Sequence, residues 1–132
     1  MARAVSPFTI DAFEDDPPYR DEDGMRLCRS HLTKTFRGDL AATSTVEMLS
    51  ARSASGGAGY VAIEVLSGTL EGRAGSFALL HAGTMEPGGD TWARWPIVPG
   101  SGTGELDGIS GEARIDIAAD GFHTLQLDYE LP

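Results

Sequence analysis

Two segments near the C-terminus alternate apolar and polar side chains with a period of two residues, the pattern of a half-buried β-strand. In FHTLQLDYEL the apolar positions are Leu125, Leu127, Tyr129 and Leu131. In ISGEARIDI they are Ile109, Ala113, Ile115 and Ile117. The turn signal Asp120-Gly121 separates the two segments. Because no segment shows a long apolar period of 3.6 residues, the sequence predicts an all-β protein.

Six further strands are predicted upstream, at about 5–13, 26–37, 39–51, 58–71, 75–86 and 90–98. Two connections are long: an acidic polar loop at about 14–24, and a glycine-rich run that begins at residue 100. Eight strands with otherwise short connections favour an antiparallel up-and-down meander, and closing it into a barrel removes the free edges. We therefore predict a single domain over residues 1–132, an eight-stranded closed barrel whose interior is filled by side chains or holds one small ligand.

Charge and composition argue against several classes of protein. The chain has ten Lys and Arg residues but twenty Asp and Glu residues, and the basic residues are scattered along the sequence. Nucleic acid is therefore not an expected partner. No apolar run reaches the roughly 20 residues of a membrane helix, and the N-terminus lacks the apolar region of a secretory signal. A single cysteine excludes an internal disulfide, and no metal-binding motif occurs. We expect a cytoplasmic protein without a metal, a cofactor or a membrane partner.

The glycine-rich stretch GSGTGELDGISGEARI does not have the spacing of a phosphate-binding loop. Gly102, Gly104, Gly108 and Gly111 miss the dinucleotide fingerprint, and the residues that follow alternate as a strand rather than a helix. The glycines are expected to supply permissive backbone at a barrel corner, where a side chain would collide with a neighbour. Leu106 and Ile109 are expected to plug that end of the core.

The same stretch resembles the Gly-Thr-Gly and Gly-x-x-Gly signature of allene oxide cyclases and dirigent-type barrels. Further segments are similar to an uncharacterised bacterial family of small proteins in that superfamily: TKTFRGDL, TVEML, GTLEGRAGSFALLHAGTM and LDYEL. The resemblance covers residues from about 5 to 131. It implies an eight-stranded antiparallel barrel of the allene oxide cyclase type, closed like that of a lipocalin. It implies no established reaction.

Two residues are candidates for acid–base chemistry. Glu64 lies mid-strand between Ile63 and Val65, where it points either into the lumen or into solvent. Inside the barrel, burial is expected to raise its pKa and make it a usable acid or base. His81 continues an apolar face and either pairs with a carboxylate there or is a hydrogen-bonded core residue. Glu47 is a candidate for the same reason, and it too points either into the lumen or into solvent.

The candidate ligand-binding residues are Tyr60, Glu47, Phe77 and Trp95. The aromatic members either line a cavity or belong to the packed core. Three functions remain open: binding of a small lipophilic molecule in the lumen, a cofactor-free isomerase or cyclase that uses Glu64 and His81, and a structural or protein-interaction module. The strands at 58–71 and 75–86 are apolar on both faces, which a single-layer barrel does not require, so we expect a homo-oligomer contact there.

Overall fold

The computed structural model describes all 132 residues and shows nine β-strands with one short 3₁₀ turn. The strands are β1 (Ala2–Asp15), β2 (Arg20–Glu22), β3 (Met25–Phe36), β4 (Leu40–Ser53), β5 (Ala58–Leu70), β6 (Arg73–Met85), β7 (Thr91–Pro96), β8 (Ser110–Ile117) and β9 (His123–Glu130). Eight of them form a ring in the order β1-β9-β8-β7-β6-β5-β4-β3, in which β3 pairs again with β1. Every pairing is antiparallel, which confirms the predicted closed eight-stranded barrel. The chain contains no helix whose length and apolarity would let it span a lipid bilayer.

Strand β1 closes the ring because it pairs with two neighbouring strands, one along each half of its length. Its first half, from Ala2 to Phe8, pairs with β9. Its second half, from Phe8 to Asp15, pairs with β3, and the register shifts between Ile10 and Ala12. A shift of this kind bends a strand and strengthens its twist, as a barrel corner requires.

The ninth strand, β2, was not predicted, since it lies inside the segment interpreted as a polar loop. It pairs only with β3 and stays outside the ring. All three of its residues are exposed, so it carries no apolar alternation that a sequence pattern could reveal. Asp23 and Gly24 both have positive φ, at 56° and 76°, and form the tight turn that returns the chain into β3.

One end of the lumen, which we call the packed end, is filled by apolar side chains. The largest fully buried members there include Phe77, Leu79, Leu125 and Leu127. A second, smaller cluster of Leu32, Val46 and Ala62 lies further along the barrel, with Met48 against it. Leu125, Leu127 and Tyr129 all face the core, as the C-terminal alternation predicts.

The glycine run closes the packed end. A 3₁₀ turn at Gly104–Leu106 places Leu106 in the core, and Ile109 follows it, both almost fully buried as expected. Gly104 has φ of +60°, and a Cβ atom there would lie 2.8 Å from the Ala74 carbonyl oxygen, so only glycine fits without strain. The run also bonds to the edge of β6, because the Thr103 amide donates to the Ser76 carbonyl.

The barrel wall is thinnest between β7 and β8, where only two residue pairs form, Trp95–Ala113 and Pro96–Glu112. The rest of β7 pairs with β6 alone. Ile117, which was expected to share the core face of β8, is 66% exposed because β7 does not extend alongside this part of β8.

Candidate functional site

Four polar side chains meet inside the barrel, on neighbouring strands. In β3 the inward positions are Leu32, Lys34 and Phe36, so the alternation that builds the core also turns Lys34 inward. Lys34 pairs in register with Ser44 on β4, while Glu64 on β5 pairs with Val46. His81 on β6 pairs with Ala62, one inward position from Glu64. We call Lys34, Ser44, Glu64 and His81 the lumen cluster.

Glu64 is the hub of the lumen cluster and is completely buried. Its Oε1 accepts hydrogen bonds from Lys34 Nζ at 3.2 Å and from His81 Nε2 at 2.7 Å. Its Oε2 accepts a hydrogen bond from Ser44 Oγ at 2.5 Å. Lys34 also lies 5.0 Å from the ring centroid of Phe8, a distance at which an ammonium and an aromatic face attract each other. Both carboxylate oxygens are thus satisfied by the protein itself.

Because of these contacts, the pKa of Glu64 shifts in the direction opposite to the expected one. Burial raises the pKa of the carboxyl group, but the hydrogen bond from His81 and the charge of Lys34 outweigh it, with a smaller contribution from Ser44. The net pKa lies below its usual value, so Glu64 is ionised at neutral pH. An ionised carboxylate at Oε1 requires a hydrogen on His81 Nε2. The predicted increase in the Glu64 pKa was therefore wrong.

Lys34 was missed by the sequence reasoning, although the sequence carries a signal for it. It stands between Leu32 and Phe36 on an apolar strand face. A lysine in a strand is usually solvated, and the register that supplies its carboxylate partner is not visible in the sequence. Because a buried lysine requires a partner, the position alone would have justified a search for an inward Asp or Glu.

A cavity of about 620 Å³ opens at the other end of the barrel, which we call the mouth. It lies between the β4–β5 and β6–β7 turns. Its main apolar walls come from Met48, Tyr60 and Met85, and Arg52 is among its polar residues. Trp92 lies at its edge and pairs with Thr84 on the outward face of the barrel. This cavity was not located by the sequence analysis, although Tyr60 was named as a ligand-binding candidate.

Gly83 shapes the mouth because it has no side chain. It pairs with Tyr60 across β5 and β6. A Cβ atom at Gly83 would lie 2.7 Å from Tyr60 Cε1 and 3.0 Å from the Trp92 carbonyl oxygen. The glycine therefore lets the tyrosine ring approach the backbone of β6 closely.

Trp95 connects the mouth with the lumen cluster. Its ring is partly buried against the core and meets His81 edge to face, with 6.5 Å between ring centroids. Burial raises the pKa of Tyr60, while a hydrogen bond with the Trp95 side chain opposes that rise, which places the phenol beside the buried indole N–H.

The other two ligand-binding candidates lie away from the mouth. Phe77 is buried in the packed end. Glu47 is on the outer surface, where it accepts a hydrogen bond from His31 Nδ1 at 2.8 Å. This hydrogen bond lowers the pKa of Glu47 and raises that of His31. Of the candidates, the structure thus brings Glu64 and His81 together inside the barrel and places Tyr60 and Trp95 at or beside the mouth.

The outer face beside Glu47 is apolar. Leu49, Val61, Ile63, Val65 and Leu80 are all between 39% and 50% exposed. Most of them line a surface depression of about 360 Å³, with Arg29 and Glu47 at its margin. We call this area the outer patch. It corresponds to the strands whose two faces are both apolar in the sequence.

Comparison with known proteins identifies one family. The family described as "Protein of unknown function (DUF3224)" matches residues 4–129. A crystal structure of a protein of unknown function from the DUF3224 family of Shewanella oneidensis MR-1 is 40% identical, with a TM-score of 0.91. That match covers 100% of this chain and 98% of the Shewanella chain. No functionally curated protein matches. The chain therefore belongs to the DUF3224 family.

Proposed function

We propose that this protein binds a small lipophilic molecule at the mouth of its barrel. The observation that carries the proposal is the 620 Å³ cavity, which is within the usual volume range of ligand pockets. Its walls combine aromatic and thioether side chains, which suit an apolar ligand of variable shape. At the packed end side chains fill the lumen, and the depression of about 550 Å³ on that end of the barrel is bordered by the charged residues Glu71, Arg73 and Glu130.

The lumen cluster lies deeper in the barrel than the mouth. The inward positions of β5 run from Tyr60 at the mouth through Ala62 to Glu64. A ligand that enters the mouth therefore meets the small Ala62 and Val46 layer before the ions. We propose that the cluster fixes the strands that form the mouth, since its members come from β3, β4, β5 and β6.

The alternative proposal, a cofactor-free isomerase or cyclase of the kind the allene oxide cyclase resemblance suggests, is supported only by the 2.7 Å contact between Glu64 and His81. Two observations favour binding instead. Neither residue lines the mouth. The Glu64 carboxylate is ionised and engaged at both oxygens, so it is poorly suited to act as an acid.

The binding proposal predicts a specific role for Met85, which lines the mouth. Titration with ethylnaphthalene, followed in the proton–nitrogen correlation spectrum, should shift the signals of Tyr60 and Gly83. Signals from the packed end, such as Leu127, should stay in place. Met85→Ala should weaken binding by about tenfold, because it removes an apolar wall that the ligand would cover.

The matched control for Met85 is Val5, an apolar residue of similar exposure outside the cavity (45% against 46%). Val5→Ala should leave the affinity unchanged. Equal losses in the two variants, or probe-induced shifts spread over the outer wall, would contradict a specific site at the mouth.

We further propose that the outer patch is covered by a second copy of this chain. An exposed apolar surface of this extent on a sheet is typical of protein contacts. The Arg29 and Glu47 pair at its margin, 3.4 Å apart, is self-complementary in a two-fold arrangement, because each copy offers both charges.

The self-association proposal predicts a dimer in light scattering at micromolar concentration. Ile63→Lys places a charge in the centre of the patch and should yield a monomer. Thr43→Lys, on the same outer face but outside the patch, should leave the dimer intact. A monomeric wild-type protein across the micromolar range would refute the contact.

A further inference from the structure

The lining of the mouth differs in charge from the rest of the chain. The protein has a net charge of −10 and contains twenty Asp and Glu residues. None of these acidic residues lines the cavity, where Arg52 is the only charged side chain. In a chain this acidic, a cavity whose one charge is positive favours an anionic group in the ligand.

Arg52 stands at the rim of the mouth, near the end of β4. The side chains of this strand alternate, and Arg52 is on the inward side together with Ser50 and Met48, which line the same cavity. Ser50 pairs with Tyr60 on β5, and Met48 pairs with Ala62 one step deeper in the barrel. A molecule in the mouth therefore meets a guanidinium and a hydroxyl at the rim and apolar side chains further in.

The charge of Arg52 is not neutralised by a carboxylate of the protein. Arg52 lies directly opposite Arg26 of β3, and like charges in opposed strand positions repel each other. Asp21 of β2 borders a small depression with both arginines, but it binds Arg26, at 3.2 Å. Arg52 itself forms no ion pair. Two guanidinium groups thus share one carboxylate, and a second carboxylate would balance them.

We infer that the ligand bound at the mouth is amphipathic, with a carboxylate that Arg52 binds at the rim and an apolar body that covers Met48 and Tyr60. This inference rests on the proposed binding function and adds the chemical class of the ligand. A guanidinium donates two parallel hydrogen bonds to a carboxylate, and the single charge of Arg52 matches that of the carboxylate. A phosphate group would bring a second negative charge, and no second cation lines the cavity.

Four probes that share one naphthalene ring test the inference: ethylnaphthalene, naphthylacetate, naphthylmethylammonium and naphthyl phosphate. Naphthylacetate should bind about fivefold more tightly than naphthylmethylammonium at low salt, as expected for one exposed ion pair. The net charge of the chain predicts the reverse order, so the order of the two affinities reports the local charge at the mouth. Naphthyl phosphate should bind no more tightly than naphthylacetate. Naphthylacetate, unlike ethylnaphthalene, should also shift the Nε–H signal of the Arg52 side chain.

Arg52→Gln should weaken the binding of naphthylacetate by about fivefold and leave the affinity for ethylnaphthalene unchanged. The matched control is Arg114→Gln, which removes the same charge from an exposed position of β8 outside the mouth. This control should leave both affinities unchanged, because the overall charge of the chain is then altered without any change in the cavity.

The inference is overturned if naphthylacetate and naphthylmethylammonium bind equally, or if Arg52→Gln binds naphthylacetate as tightly as the wild type does. Shifts of Tyr60 and Gly83 with ethylnaphthalene would still support binding at the mouth in that case. Tighter binding of naphthyl phosphate than of naphthylacetate would overturn the carboxylate. If no probe shifts Tyr60 and Gly83, the proposed function fails, and this inference fails with it. The order of the probes is measured on the wild-type protein, so the test does not depend on whether Arg52→Gln folds.

Discussion

Replacing Glu64 with glutamine is expected to lower the free energy of unfolding by about 3–5 kcal/mol, as measured by urea denaturation at neutral pH. The substitution keeps the shape of the side chain but removes its charge, so Lys34 stays buried at 6% exposure without a counterion. An amide oxygen in the Oε1 position can still accept a hydrogen bond from His81, and the NH2 group can donate to Ser44 Oγ, but neither contact replaces the lost attraction between opposite charges. The cost is therefore that of an uncompensated ammonium rather than of a missing contact.

Two further variants separate this explanation from a general intolerance of change. The double variant Lys34→Met with Glu64→Gln should recover most of the stability, because it removes both charges and keeps the volume. Glu47→Gln, which breaks an exposed ion pair on the outer surface, should change stability little. A single Glu64→Gln variant as stable as the wild type would show that the two charges do not depend on each other.

The pKa of Glu64 gives the same pair a pH signature. Because the pKa in the folded state is lowered, the stabilisation is present above the unfolded value of about 4.5 and is lost as the pH falls through the folded value. Glu64→Gln should therefore flatten the acid side of the stability profile. A profile with an unchanged slope between pH 5 and pH 3, roughly the range of carboxyl titration, would contradict the lowered pKa.

Replacing Leu127 with alanine is expected to cost about 2–5 kcal/mol of stability in the same assay. Leu127 has no exposed surface and lies in the packed end, where rigid neighbours prevent the cavity from collapsing. It pairs with Ala4 of β1, so the side chain also contributes to the joint that closes the ring.

Val5 is the natural control, since it lies next to Ala4 on β1 but faces outward and is 46% exposed. Val5→Ala should change stability by less than about 0.5 kcal/mol. If Val5→Ala destabilises as much as Leu127→Ala, the inward and outward faces of β1 and β9 have been assigned to the wrong sides.

The sequence predicted the ring because side-chain alternation, the signal for a half-buried strand, runs through most of its strands. Leu125, Leu127 and Tyr129 show it most clearly, and the glycine run was correctly interpreted as a turn with Leu106 as its plug. Short connections then left few alternatives to a closed meander. By contrast, β2 went undetected, since a strand exposed on both faces has no alternation to detect.

The site was only partly predictable, because its chemistry depends on register. The position of Glu64 on an alternating strand left its direction open, and its partners come from three other strands. Lys34 escaped notice because a single lysine in a strand is ordinarily solvated. The pKa shift of Glu64 had the opposite direction to the predicted one for the same reason: the sequence analysis considered the effect of burial on an inward carboxylate, but not the compensating charge of Lys34.

The most direct test of the account is a crystal structure of this protein with ethylnaphthalene. The account predicts the naphthyl ring inside the mouth, in contact with the side chains of Tyr60 and Met85. It also predicts Glu64 bonded to Lys34 and His81 beneath the ligand. A mouth closed by side chains, with the probe absent or bound only to the outer wall, would contradict it.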